Sequence, residues 1–202
     1  VRGNAANRLK RFTLDWNCVI SLEKGDPQAP YVRELVESHR RGVANVALLQ
    51  TSASENMRGT RGFPGSYELF EERLRAASID DLPRIPTPGV WSLTFCDQCY
   101  WVDQSSYERA VGELWQIMAP NMADFVEKWS SENGEPTPEQ SAGPQFARYR
   151  NAWCDVHSAF CHIAERRDFF VTSNTQDFRK EALANLHLLA VTPEEAAALV
   201  RS

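Results

Sequence analysis

Four short, largely apolar runs constrain this chain most: Phe12-Thr13-Leu14-Asp15-Trp16, Val43 to Leu49, Phe169-Phe170-Val171-Thr172, and His187 to Val191. Runs of this length without a strict polar alternation suit strands buried on both faces. Segments with helical spacing separate them. Strands alternating with helices imply an α/β fold, a central parallel sheet covered on both faces.

The intervening segments carry their own signals. Tyr31 to Arg41 reads as a helix, with Pro30 suited to its first turn, Val32, Leu35 and Val36 on one face, and Gly42 to end it. A helical segment is expected from about Ser52, broken by Gly59, Gly62 and Pro64. Tyr67 to Ala77 has helical spacing, and Pro83, Pro86, Pro88 and Gly89 make a loop. Tyr107 to Trp129 reads as one or two helices interrupted at Pro120, and Ser130 to Pro144 as an exposed loop. From Gln145 onward, Phe146, Tyr149, Trp153, Val156, Phe160 and Ile163 recur at steps of three or four, a helical core stripe. Asp177 to Leu186 reads as a helix. Thr192-Pro193-Glu194-Glu195 opens the last one through a capping box.

The length of 202 residues suits a single domain or one domain with a sizeable insertion. Its 43% hydrophobic and 24% charged residues are those of a globular protein, and six Trp and ten Phe supply core area. A formal charge of −5 counts against a module that holds nucleic acid by a broad basic face. It counts less against a metal site built from acids. Five cysteines, no signal peptide and no run approaching the roughly 18 apolar residues of a membrane span lead to the expectation of a cytoplasmic, non-membrane protein.

Ligands bind beyond the carboxyl ends of the strands in open parallel sheets. Asp15 lies near the end of the first strand, and Glu55 about one turn after the second. Asp155 lies on the helix that leads to the Phe169 strand, and Asp177 just after that strand. Topology alone thus gathers four acids at one edge of the sheet. Like charges so placed repel, and a divalent ion with oxygen ligands removes the conflict.

Several stretches here resemble the PIN family of nucleases. Leu14-Asp15-Trp16-Asn17-Cys18-Val19-Ile20 looks like its opening strand and Asp. Thr51-Ser52-Ala53-Ser54-Glu55 is similar to its second motif, and Asp155-Val156-His157-Ser158-Ala159 to the third, where Asp starts or lies early in a helix. Phe170 to Phe178 resembles the fourth, a strand ending in Thr followed by Asn and Asp-Phe, and Leu188 to Glu195 the final strand and helix. The resemblance implies a Rossmann-like three-layer α/β/α fold over residues 1–202, with its core at about 11–60 and 145–202 and a largely helical insertion at about 61–144. The interval between Glu55 and Asp155 exceeds what compact members show.

What the resemblance implies for function is Mg²⁺- or Mn²⁺-dependent endonucleolytic hydrolysis of RNA. Asp15, Glu55, Asp155 and Asp177 would be the metal ligands and catalytic acids, with Asn17, Thr172, Ser173 and Asn174 orienting them. The family includes toxins restrained by antitoxins, so an antitoxin-like protein partner and a homodimer are both compatible with it.

Each acid also has a plain structural reading. Ser52-x-x-Glu55 matches a capping box, Asp155 suits a solvated helix position or an N-cap, and Asp177 could cap the following helix. Asp15 in a buried strand is hard to explain structurally, since an unpaired buried carboxylate costs several kcal/mol. Arg58, Arg61, Arg148, Arg150, Arg166, Arg167, Arg179 and Lys180 flank the acids and are read either as phosphate contacts or as a salt-bridged surface. Cys96-Asp97-Gln98-Cys99 is half of a zinc site, with buried thiols the default reading. His39 and His187 read as core-edge or surface residues. Two alternative functions stand beside nuclease: an inactive PIN-like module that binds RNA or protein, and a Rossmann-like metal-dependent phosphatase, which Asn17 disfavours because that chemistry places a second Asp two residues after the first.

Overall fold

The structure, a computed structural model, describes residues 8–55, 67–89, 99–100 and 103–202. In chain order the elements are β1 (Arg11–Leu14), α1 (Trp16–Lys24), α2 (Ala29–Arg40), β2 (Asn45–Leu49), α3 (Tyr67–Ala76), β3 (Arg84–Ile85), β4 (Thr87–Pro88) and β5 (Cys99–Tyr100). They continue with α4 (Gln104–Met118), α5 (Phe125–Asn133), α6 (Pro138–Ala142), α7 (Ala147–Ala164), β6 (Phe169–Val171), α8 (Thr175–Phe178), α9 (Glu181–Asn185), β7 (Ala190–Val191) and α10 (Pro193–Arg201). Five strands form one parallel sheet in the order β3-β2-β1-β6-β7, and β4 and β5 pair separately.

Alternate side chains of a strand face opposite sides of the sheet, and here both sides are buried. Phe12, Leu14, Val46, Leu48 and Val171 pack with Val19, Val32, Leu35, Phe70 and Ala196, which α1, α2, α3 and α10 contribute. Ala47, Leu49 and Phe170 pack on the other side with Leu114, Val156, Phe178 and Leu183 from α4, α7, α8 and α9. Burying each such Leu, Val or Phe contributes roughly 1.5–3 kcal/mol. The α/β class and the parallel sheet follow from this two-sided burial.

The first strand is shorter than its apolar run suggests. It ends at Leu14, and the Asp15 carboxylate accepts the Trp16 N–H, making Asp15 the N-cap of α1. Helix α1 is absent from the sequence reading, because Asn17, Val19 and Ile20 are mediocre helix formers. Burial of Trp16, Cys18, Val19 and Leu22 stabilises it, and Gly25 closes it at φ 61°.

Other boundaries also move. A 3₁₀ turn over Gln50–Ser54 replaces the helix expected from Ser52, and the Glu55 N–H bonds the Ser52 carbonyl, so no capping box forms there. The breakers Gly59, Gly62 and Pro64 lie outside the described residues. The expected loop after Pro83 contains β3 and β4, and the expected loop over 130–144 holds the end of α5 and all of α6, the latter capped by a Thr137–Gln140 box. The helix expected over 177–186 is two short helices, α8 and α9. The last capping box is present as read, with Thr192 and Glu195 satisfying each other's N–H groups.

Both α7 and α9 end in a left-handed residue that is not glycine. Arg166 has φ 49° and His187 φ 65°. In each turn the next N–H reaches back to a helix carbonyl, Arg167 to His162 at 3.3 Å and Leu188 to Leu183 at 2.9 Å. A non-glycine residue in this conformation costs roughly 1–2 kcal/mol. The turn at His187 also explains why β7 begins only at Ala190.

The stretch between the acids is tied to the sheet's second core. The Tyr107 hydroxyl on α4 meets His157 Nε2 on α7 at 2.6 Å, while His157 Nδ1 lies 2.8 Å from the Trp153 carbonyl. With Nδ1–H donating to that carbonyl, Nε2 accepts from Tyr107. Trp115 stacks on Tyr149 at 5.6 Å, and Lys180 donates to the Ile117 and Met118 carbonyls at the end of α4.

Candidate metal centre

The strand order reverses direction between β1 and β6: β2 and β3 lie to one side of β1, and β6 and β7 to the other. Such a switch point opens a crevice at the carboxyl ends of the strands. Asp15 follows β1 and Thr172 follows β6, so both stand at that point. The Asp15 N–H donates to the Val171 carbonyl at 3.0 Å, which fixes the two strand ends against each other.

Asp15 is 5% exposed and its carboxylate is heavily used. One oxygen accepts the Trp16 N–H at 2.8 Å; the other accepts from Asn17 Nδ2 at 3.0 Å and from the Thr172 hydroxyl at 2.6 Å. A carboxylate offers about four lone-pair positions, so these donors leave roughly one for an ion or water. Thr172 in turn accepts the Asn174 N–H at 2.9 Å, and Asn174 Nδ2 donates to Asp177 at 2.7 Å. A continuous chain of hydrogen bonds therefore runs Asn17, Asp15, Thr172, Asn174, Asp177. Ser173 is exposed and adds no bond to it.

The acids feel one another. Burial raises the Asp15 pKa against the lowering pull of Thr172, Trp16 and Asn17. Desolvation first, then the charges of Asp15 and Asp155, push Glu55 well above the usual carboxylate range. Asp155 rises to about 7 through burial and the charges of Asp15 and Asp177. Asp155 lies midway along α7 rather than early in it, one turn from the buried Ser158 and Ala159. Asp177 is exposed within α8; the cap position before that helix is Asn174, so Asp177 does not cap it. The structure thus brings the four expected acids to one end of the sheet. Among the described residues, no three Asp, Glu, His or Cys side chains already stand in the closed spacing of a metal-binding group.

The donor chemistry nonetheless fits a hard divalent cation. Every candidate ligand is a carboxylate, and burial raises the proton affinity of three of them, with neighbouring negative charges adding to it at Glu55 and Asp155. One cation opposes them: Arg73 on α3 lowers Glu55. Its guanidinium lies 4.6 Å over the Trp16 ring and forks onto Glu23 at 2.5 and 2.6 Å. Nothing in the residue spacing points to Arg73, because packing of α3 against α1 brings it there.

The flanking basic residues fall out differently from the phosphate-contact reading. Arg150 is buried and donates to the Ser141 and Gly143 carbonyls. Arg179 bonds the Ala190 carbonyl and Glu195, and Lys180 holds the end of α4. Arg166 and Arg167 precede β6 and so lie at the opposite end of the sheet from the acids. Arg148 is exposed. Arg58, Arg61 and Cys96 lie outside the described residues, and Cys99 is half-buried. His39 is half-buried and accepts the Val46 N–H, and His187 is exposed. His157 and His162, both on α7, are buried.

No protein-family model, curated protein or solved structure matches this chain. No helix among the described residues is long and apolar enough to cross a membrane.

Proposed function

We propose that this chain is a PIN-like endoribonuclease that hydrolyses RNA phosphodiester bonds with the help of Mg²⁺ or Mn²⁺. The observation that carries this reading is the hydrogen bond from Thr172 to Asp15 at the switch point, extended through Asn174 to Asp177. It joins the first and fourth acids of the resemblance through two of the residues expected to orient them. A purely structural cap at Asp15 needs only the Trp16 N–H, and the further donors serve to aim the carboxylate.

Asp15, Glu55, Asp155 and Asp177 would hold the ion, directly or through water. When bound, the ion supplies Lewis-acid polarisation of the scissile phosphate. Asn17 and Thr172 keep the Asp15 carboxylate in one orientation, and Asn174 does the same for Asp177. One of these carboxylates, if it holds the ion only through water, would take the proton of the attacking water.

The test is cleavage of end-labelled single-stranded RNA by the purified chain, with Mg²⁺, with Mn²⁺ and with EDTA. Metal-dependent internal cuts that vanish in Asp15→Asn support the reading. Tight RNA binding without cleavage under both metals would replace it with the inactive binding module.

A further inference from the structure

The end of the sheet away from the acids carries a groove of about 960 Å³, bounded by the residues that lead into β1, β6 and β7. Its lining combines apolar Ile163, Phe169, Ala184 and Leu189 with Arg8, Lys10, Arg166, Arg167 and His187. A smaller groove of about 210 Å³ shares Arg8 and Lys10 and adds Leu9 and Val43. The large hydrophobic residues most exposed among those described are Leu9, Val43 and Leu189, and all three border these two grooves. On a chain of net charge −5, this one end is cationic and apolar together.

Two details show that these side chains are placed there at a cost. Arg166 and His187 occupy the left-handed positions where glycine is free of strain, and both side chains line the groove. Among the described residues, no ion pair holds either one. Arg167 is 6% exposed, uses one terminal nitrogen on the Phe12 and Asn45 carbonyls, and leaves a buried Nε without a hydrogen-bond partner. The groove's one carboxylate, Asp168, is already paired with Arg8 at 2.7 Å.

We infer that this groove docks an acidic peptide segment of a protein partner, one that alternates carboxylates with aliphatic side chains. Arg166, which no ion pair holds among the described residues, and Lys10, beyond its bonds to the Leu199 carbonyl and the Ser202 hydroxyl, pair with its carboxylates, and Leu189, Ile163 and Phe169 receive its apolar side chains. Nucleic acid is disfavoured because exposed Leu9, Val43 and Leu189 have nothing to gain from phosphates.

The experiment is fluorescence anisotropy with the full chain and a labelled peptide of alternating Glu and Leu, about twelve residues long. Controls are the same peptide with Lys for Glu, a single-stranded RNA of similar length, and vesicles of anionic phospholipid. The variants are Arg166→Gly and His187→Gly, which relieve the turns and so keep the fold, and Leu189→Asp. Saturable binding of the Glu–Leu peptide, at least tenfold tighter than the Lys peptide and weakened about fivefold or more by each variant, is expected. The glycine variants melt at or above the temperature of the parent, which separates lost binding from lost folding. Equal binding by parent and variants overturns the proposal, as does preference for the Lys peptide. Binding of RNA or vesicles that the same variants abolish, without binding of the Glu–Leu peptide, reassigns the groove and also overturns it.

Discussion

Thr172 and Asp15 come from neighbouring parallel strands far apart in sequence, yet their side chains meet at 2.6 Å in a site nearly closed to solvent. That bond does two things. It offsets part of the desolvation of a buried carboxylate, and it fixes the direction in which the remaining lone pair points. Thr172→Val keeps the shape and removes the donor. It should destabilise the fold by about 1–3 kcal/mol, the usual cost of losing a hydrogen bond to a buried charged group, and cut RNA cleavage at least tenfold. Thr172→Ser should retain most of both. Urea unfolding and cleavage rates on the three proteins check this, and a fully active Thr172→Val would remove the orienting role.

Asp15→Asn keeps an acceptor for the Trp16 N–H while removing a charge whose pKa burial has raised. The variant gives up acceptance from Asn17 and Thr172 as well as the buried charge, so it should stay folded with its melting temperature within a few degrees of the parent, and lose cleavage by about 100-fold or more, as expected when a metal-site carboxylate is neutralised. Thermal melts followed by circular dichroism, alongside the cleavage assay, separate the two effects. Wild-type cleavage by this variant excludes Asp15 from the mechanism.

Protons and metal ions compete for the same carboxylates. Asp155 binds its proton with a pKa of about 7 in the fold and near 3.8 unfolded. A raised carboxylate adds stability below its unfolded pKa, and that stability is lost as pH rises through the folded value. The metal-free chain therefore carries a larger penalty from this group at pH 8 than at pH 5. Mn²⁺ needs the deprotonated form, so the rise in melting temperature on adding it should be larger at pH 8 than at pH 5.5. Differential scanning fluorimetry at the two pH values tests it. An equal or inverted increment contradicts a carboxylate metal site.

Two buried histidines work in the opposite direction. Burial lowers His162 to about 3 and His157 to about 4. A histidine depressed in the fold binds more protons when unfolded, so stability falls as pH drops below the unfolded value near 6.5 and levels off below the folded one. Each contributes at most about 1.4 kcal/mol per pH unit in that window. His162→Asn loses the Thr13 contact and should be less stable at pH 7, yet its stability should change less between pH 6.5 and 4 than that of the parent. Urea midpoints across this range decide the matter, and parallel pH curves for the two proteins would refute the assignment.

Much of the architecture is legible in the sequence because buried strands and capped helices leave local signatures. Phe169 to Thr172 reads as a strand, and Thr192 to Glu195 as a capped helix start, for reasons that need no tertiary context. The grouping of Asp15, Glu55, Asp155 and Asp177 also follows from chain order, since strand ends converge in a parallel sheet. Helix α1 is not legible: Asn17, Val19 and Ile20 favour it poorly, and only the buried face of Trp16, Val19 and Leu22 holds it. The break between α8 and α9 and the approach of Arg73 to Glu55 depend on packing between distant segments, which no local window contains. The same is true of Arg150, whose charge suggests a surface ligand until the carbonyls of Ser141 and Gly143 surround it.

Strand β1 sits in the middle of the sheet, yet one of its two neighbours, β6, is made from residues more than a hundred positions later. During synthesis the central strand emerges early and gains β2 soon after, while its other edge stays bare until Val171 has left the ribosome. A nascent chain stalled before that point therefore exposes an open template for stray strand pairing. It also holds Asp15 with no Thr172 to orient it. The orientation of Asp15 thus waits on the same pairing event that covers this edge of β1.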